Sequence, residues 1–284
     1  MDCIAETSGI LNDLKSSFGN ESKQILSLAY FLVIEGESAM YRFPKFAKTH
    51  FHPYENIISS QRISDIFASI SENSKMSFFK KRAEKCLQNE YLAYDTTSIS
   101  SYSEMMTQVK YGHNKDLDNL PQINLAMVFG ETSMLPVYYR KLPGNINDVL
   151  TIKKLIKDLD FIDIKKAKLV LDRGFYSKDN INSLYRNEMK FIVSTRITNK
   201  CSTNFIDEVH STIQNFSNYN SDEKIYNISK ITKWKYEYQN KAHEKCSSNK
   251  MMYVHIYYNG EKAESEKTKF IVKLKQTELA YLSL

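Results

Sequence analysis

The chain has 284 residues, of which 42% are hydrophobic and 25% charged, a composition typical of a globular protein with a substantial core. Its formal net charge of +6 suits a polyanionic partner without requiring one. The four cysteines include no close pair, which argues against a disulfide framework or a zinc ribbon, and the apolar stretch 25–34 is too short to span a membrane.

Residues 1–90 are predicted to form a helical N-terminal region. Apolar side chains recur at helical spacing from Ile25 to Val33, and Gly36 marks the expected end of that helix. Ser59 is a candidate N-cap for a second amphipathic helix. Residues 74–86 form a third helix with a basic face, which either contacts DNA or is simply solvated.

The periodicity changes from helical to strand-like at residue 91. The predicted elements are strands over 91–97, 122–129 and 135–140, a helix over 147–159, a strand over 168–172, a helix over 177–187 and a strand over 191–194. The second and third strands are joined by a short polar link, which is typical of an antiparallel hairpin. This order predicts an α/β fold with a mixed sheet and flanking helices.

Two aspartates end short apolar runs in this region. Asp95 follows Tyr91-Leu-Ala-Tyr94, and Asp172 follows Lys168-Leu-Val-Leu171. In an RNase H-like sheet the first and fourth strands are neighbours, so the two carboxylates would converge at the edge of a cleft. Mg²⁺ prefers hard oxygen ligands, and two such ions about 4 Å apart can support phosphoryl transfer. The pair therefore predicts an RNase H-like nucleic-acid enzyme with a two-ion Mg²⁺ or Mn²⁺ site.

Several motifs occur in a fixed order around these aspartates. They are Tyr94–Ser103, Gly112–Asp116, Leu120–Gln122, Leu142–Asn145 with Asp148, and Leu171–Tyr176. Together they resemble bacterial insertion-sequence transposases with an Asp-Asp-Glu catalytic site, in the insertion-sequence-four-like group. The resemblance implies that Asp95 and Asp172 are the first two catalytic metal ligands. It also implies a cytoplasmic, nucleoid-associated protein that cuts and joins DNA at element ends and targets, as a dimer with itself or with a full-length transposase, and without a membrane partner.

Four basic residues near the aspartates are candidates for DNA contacts. Lys110, His113 and Lys115 belong to the loop after the first strand, where they can bind backbone phosphates. For His113, a structural role is an equal alternative. Arg173 directly follows Asp172 and either reaches a phosphate or forms an ordinary surface ion pair.

The third acid of the Asp-Asp-Glu group lies in a Tyr-x-x-Arg-x-x-x-Glu pattern, which this sequence does not contain. We therefore expect residues 91–200 to be an incomplete catalytic core and residues 201–284 to be a truncated insertion region of strands and a helix. The chain is then a partial copy of a transposase. The alternative is a catalytically inactive remnant that binds DNA. A phosphatase-like hydrolase with Asp95 as nucleophile is disfavoured, because Thr97 stands where its second aspartate is required.

Overall fold

The chain divides into two compact units, Met1–Val193 and Ser194–Leu284. The structure is a computed structural model, and it describes residues 1–36, 38–86, 90–112, 120–164, 167–240 and 243–282. Among the helices in these ranges, none combines the length and the apolar character that a membrane span requires. The functional division at residues 90 and 200 stays a prediction.

The first unit begins with the predicted helical region. Its helices are α1 (Asp2–Thr7), α2 (Ile10–Phe18), α3 (Ser22–Glu35), α4 (Phe43–Phe46), α5 (Ser60–Ser69) and α6 (Glu72–Cys86). Gly36 caps α3 with a φ of 63°, a conformation that glycine adopts without strain. The Ser59 side chain accepts a hydrogen bond from the backbone N–H of Arg62, which confirms it as the N-cap of α5.

A buried ion pair joins α2 to α6. The guanidinium Nη1 of Arg82 lies 3.1 Å from the Asp13 carboxylate, and both side chains are more than nine-tenths buried. Lys85 adds a second cation, with its Nζ 2.7 Å from the other carboxylate oxygen. On the same helix, Phe79 packs edge-on against the rings of Tyr138 and Tyr139, at centroid distances of 5.0 and 5.2 Å. Helix α6 therefore links the helical region to the sheet.

The sheet of the first unit is mixed, as predicted. Its strands are β1 (Tyr91–Ser100), β2 (Gln122–Gly130), β3 (Pro136–Pro143), β4 (Lys168–Leu171) and β5 (Lys190–Val193). Their spatial order is β3-β2-β1-β4-β5, with antiparallel pairing among the first three strands and parallel pairing of β1 with β4 and of β4 with β5. The first and fourth strands are neighbours, so the predicted RNase H-like arrangement is confirmed.

Two helices, α7 (Ile152–Phe161) and α8 (Lys178–Arg186), accompany the sheet. Leu155 of α7 lines a small cleft together with Tyr94, Ala126 and Leu142, which are buried side chains of β1, β2 and β3. The prediction of one continuous helix from residue 147 was wrong. Residues 148–150 form a separate 3-10 turn, and the Thr151 hydroxyl tightens it by donating to the Asp148 carbonyl oxygen at 2.7 Å.

The second unit contains a long antiparallel ribbon between two helices. Its elements are α9 (Lys200–Val209), β6 (Tyr219–Asn220), β7 (Ile225–Gln239), β8 (Lys245–Tyr258) and α10 (Gly260–Leu282). The sequence indicated only scattered strand-like pieces here. The Asn259 side chain accepts from the Lys262 N–H at 2.8 Å and so caps α10.

Candidate active site at the strand ends

Asp95 and Asp172 occupy adjacent positions on neighbouring parallel strands. Tyr94 of β1 pairs with Leu171 of β4, and each aspartate is the next residue along its strand. Neighbouring strands lie about 4.8 Å apart, so the two carboxylates are attached to backbone that is close together. Both aspartates are exposed. The structure therefore brings the two together, while their roles in catalysis and metal binding stay predictions.

The backbone on the buried side of this pair is held by packing. The rings of Tyr94 and Phe175 pack with centroids 5.0 Å apart, and both side chains are almost fully buried. Burial raises the pKa of the Tyr94 hydroxyl to about 12, so it stays neutral. Asn180 donates from its amide nitrogen to the carbonyl oxygens of Val149 and Phe175, each at 2.8 Å. These contacts join the 3-10 turn at 148–150 to the turn that follows Asp172.

Thr96 connects Asp95 to a third aspartate, Asp148, which the sequence shows only as part of a motif. Its backbone N–H donates to Asp95 Oδ1 at 2.7 Å. Its hydroxyl donates a hydrogen bond to Asp148 Oδ1 from a side chain that is only 3% exposed. The sequence signal for Asp148 was its place beside the Leu142–Asn145 motif, but a partner 52 residues away could not be inferred from it.

The candidate DNA-binding residues have different positions. Arg173 is exposed directly after Asp172 and forms no ion pair with any described residue. Lys110 forms an isolated bridge with Gln122, which is opposite Ser100 in the register of β1 and β2. Lys110 is also exposed, and it lies across β2 from β1, level with a position five residues along β1 from Asp95.

Two of the four basic candidates, His113 and Lys115, lie outside the described residues. Two histidines of the helical region, His50 and His52, contact neighbouring side chains. His50 stacks on Phe46 with the ring planes 9° apart. His52 is buried, and its Nδ1 lies 3.1 Å from the Ser27 hydroxyl. Their contacts are those of structural residues.

Asp95 and Asp172 offer two carboxylates at the strand ends. Within the ranges that the structure describes, no group of three or more His, Cys, Asp or Glu side chains is placed to hold a metal ion. The Asp148 carboxylate borders the site without completing such a group. The donor set of Asp95 and Asp172 nevertheless fits a hard divalent cation, since both offer carboxylate oxygens and both are open to solvent.

Residues 88–275 match the family model described as the transposase DDE domain. The chain belongs to this family. The match includes both aspartates, the sheet and most of the second unit. No curated protein is significantly similar to the chain.

Solved transposase structures are similar to this DDE-domain chain at low identity. The piggyBac transposase synaptic complex with hairpin DNA matches at 13% identity and a TM-score of 0.41, over 86% of this chain and 51% of that one. The Mos1 transposase paired-end complex with the left transposon end matches at 11% identity and a TM-score of 0.27, over 65% of this chain and 70% of that one. The Mos1 mariner paired-end complex with Mn matches at 12% identity and a TM-score of 0.26, over 64% of this chain and 70% of that one. The chain thus spans about half of the length of the piggyBac transposase chain.

Proposed function

We propose that this chain is the core of a bacterial insertion-sequence transposase, which cleaves DNA at element ends and joins it to a target. The observation that carries the proposal is the adjacency of Asp95 and Asp172, which directly follow the paired residues Tyr94 and Leu171 of neighbouring parallel strands inside a transposase DDE domain. The proposal includes membership of the insertion-sequence-four-like group. It sets the site of action at the bacterial nucleoid, in the cytoplasm, with DNA and a second transposase copy as partners.

In this proposal Asp95 and Asp172 hold Mg²⁺, or Mn²⁺ in its place, as a two-ion site. The ions supply activation of an attacking hydroxyl and stabilisation of the leaving oxygen. The residues of this chain contribute fixed backbone positions for the carboxylates, because Asp95 lies in β1, Asp172 directly follows β4, and these two strands are paired. A third carboxylate would have to come from outside the described residues.

The basic residues near the strand ends would orient the DNA. Arg173 is well placed for the phosphate nearest the aspartates, because it follows Asp172 directly and is exposed. Lys110 lies across β2 from β1, level with a position five residues along β1 from Asp95, and would contact a phosphate farther along the DNA. We assign the same kind of phosphate contact to His113 and Lys115.

A second candidate function is that of an inactive remnant that binds DNA without cutting it. The observation that favours this alternative is the absence, among the described residues, of a third metal-ligating side chain beside the two aspartates. Loss of one ligand from a two-ion site is expected to lower catalysis by orders of magnitude, since charge stabilisation at the reacting phosphate is then incomplete. Such a protein would still bind DNA through its basic residues.

Cleavage of element-end DNA in Mg²⁺ or Mn²⁺ separates these functions. An active chain cuts at the element end, and Asp95→Ala and Asp172→Ala each abolish cutting. Asp160→Ala is the matched control, because Asp160 is an exposed aspartate on α7, outside the site. DNA binding without cutting by the purified chain would support the remnant. Cutting that survives both site variants would refute the assigned site.

The DNA contacts are tested by the salt dependence of binding. Lys110→Ala and Arg173→Ala should each weaken binding to all sequences and reduce the slope of log affinity against log salt by about one. Lys153→Ala serves as the control, since this lysine is exposed on α7 and its nearest carboxylate, Asp179, lies 3.9 Å away. A slope that is equal in the wild type and both site variants would contradict the assignment.

A further inference from the structure

The Asp148 carboxylate lies on the buried side of the strand that carries Asp95. We propose that Asp148 is a positioning residue for Asp95 and acts through Thr96; this inference rests on the metal-binding role proposed above. It assigns a function to a side chain that the Asp95–Asp172 pair does not require as a ligand.

The connection runs through a single residue. The Thr96 hydroxyl donates to Asp148 Oδ1, and the Thr96 backbone N–H donates to Asp95 Oδ1 at 2.7 Å. Successive side chains of a strand point to opposite faces, so Asp148 is bound on the buried face while Asp95 stays on the exposed one. Because Thr96 is only 3% exposed, water does not readily replace its hydrogen bond to Asp148. Fixing Thr96 therefore fixes the amide that orients the Asp95 carboxylate.

Asp148 also borders the turn that follows Asp172. A Cβ atom built on Gly174 would lie 3.4 Å from Asp148 Oδ2, so the second carboxylate oxygen is next to this turn. Asn180 fixes the 3-10 turn that carries Asp148, because its amide nitrogen donates to the carbonyl oxygens of Val149 and Phe175. Asp148 is thus anchored by the elements that follow Asp172, and from there it reaches the strand that carries Asp95. The geometry links the positions of the two metal-binding candidates.

This role differs from that of a third ligand. Asp148 Oδ1 accepts the Thr96 hydroxyl hydrogen bond, so in this proposal Asp148 acts on Asp95 through Thr96 and not as a metal ligand. Residues that orient a metal ligand by hydrogen bonds commonly change metal affinity when they are replaced. The hydrogen bond, and not the negative charge of Asp148, is then the property that matters.

The test is Mn²⁺ binding to the full chain, followed by the electron paramagnetic resonance signal of free Mn²⁺. Asp148→Ala and Thr96→Val should each weaken the affinity by about 10-fold. Asp148→Asn keeps an Oδ1 acceptor for Thr96 and should stay within about 2-fold of the wild type. The double variant Asp148→Ala with Thr96→Val should lose no more Mn²⁺ affinity than the weaker-binding single variant, because both substitutions remove the same hydrogen bond. Asp160→Ala is the control, and circular dichroism reports whether each variant is folded.

The outcomes separate this inference from the proposed function. Unchanged affinity in folded Asp148→Ala or Thr96→Val, while Asp95→Ala loses binding, would overturn the positioning role alone. An Asp148→Asn variant as weak as Asp148→Ala would also overturn it, since the charge would then be responsible. If the wild type does not bind Mn²⁺, or binds it equally well without Asp95 and Asp172, the proposed metal site and this inference both fail. If Asp148→Ala does not fold, the Mn²⁺ affinities of Thr96→Val and Asp148→Asn decide whether Asp148 has the positioning role.

Discussion

Replacing Asp13 with alanine should destabilise the first unit strongly. The change leaves the Arg82 guanidinium buried, with a side chain that is only 3% exposed, and without its carboxylate. Breaking a buried pair by removing one partner costs about 3–5 kcal/mol, because the remaining charge is desolvated and uncompensated. Lys85 does not add to this cost, since its side chain is 44% exposed and can turn to water.

Urea denaturation followed by far-ultraviolet circular dichroism measures this effect. With a denaturant dependence of about 2 kcal/mol per molar, a loss of 4 kcal/mol moves the midpoint down by about 2 M. Glu72→Ala is the matched control on α6, because Glu72 pairs with Lys75 but is 78% exposed, and its loss should cost less than about 0.5 kcal/mol. The only tryptophan, Trp234, reports separately on the second unit.

A double variant tests the physical reason. Asp13→Leu together with Arg82→Met removes both buried charges and should recover most of the lost free energy of unfolding. We expect this recovery because Arg82 Nη2 has no hydrogen-bond partner among the described residues. The hydrogen-bonding capacity of the native buried pair is therefore not fully satisfied. The reasoning is refuted if Asp13→Ala costs as little as Glu72→Ala, or if the double variant is less stable than Asp13→Ala.

Two further predictions concern packing and pH. Gly144→Ala should lower the free energy of unfolding by about 2 kcal/mol in urea titrations, because its Cβ would lie 2.0 Å from the Gln122 carbonyl oxygen. Gly260→Ala is the control, since its Cβ would have 4.0 Å to the nearest atom. Burial lowers the pKa of His52 below its usual 6.5, so the unfolded chain takes up a proton more readily than the folded one. The free energy of unfolding should therefore fall as the pH decreases through about 6.5, and titrations from pH 8 to 5 should show a smaller fall in His52→Gln.

The mixed sheet and the adjacency of Asp95 and Asp172 could be predicted from the sequence. Both follow from local apolar runs that end in a carboxylate, together with the order of strands and helices. The Thr96–Asp148 hydrogen bond could not be predicted, because it joins a buried strand residue to a turn through tertiary packing. A lone aspartate after a glycine-containing turn carries no signal for such a partner.

The long ribbon of the second unit escaped prediction for a different reason. The alternation of polar and apolar residues that marks a half-buried sheet covers only part of the ribbon. Lys233-Trp-Lys-Tyr-Glu-Tyr238 of β7 alternates, but the start of β8, Lys245-Cys-Ser-Ser-Asn-Lys250, is mostly polar. The hydrogen-bonded register that defines the ribbon, from Tyr226 opposite Tyr258 to Gln239 opposite Lys245, leaves little trace in composition.

The register of β1 and β4 has a consequence for how this protein tolerates insertions and deletions. Leu92 and Tyr94 pair with Leu169 and Leu171, and all four side chains are buried. Loss or gain of one residue within β1 would turn its buried side chains outward and its outward ones inward. The requirement to fold therefore preserves the juxtaposition of positions 95 and 172 by itself. A chain with other side chains at positions 95 and 172 would keep the same backbone geometry there, so only the identity of these side chains distinguishes a chain that has both carboxylates from one that lacks them.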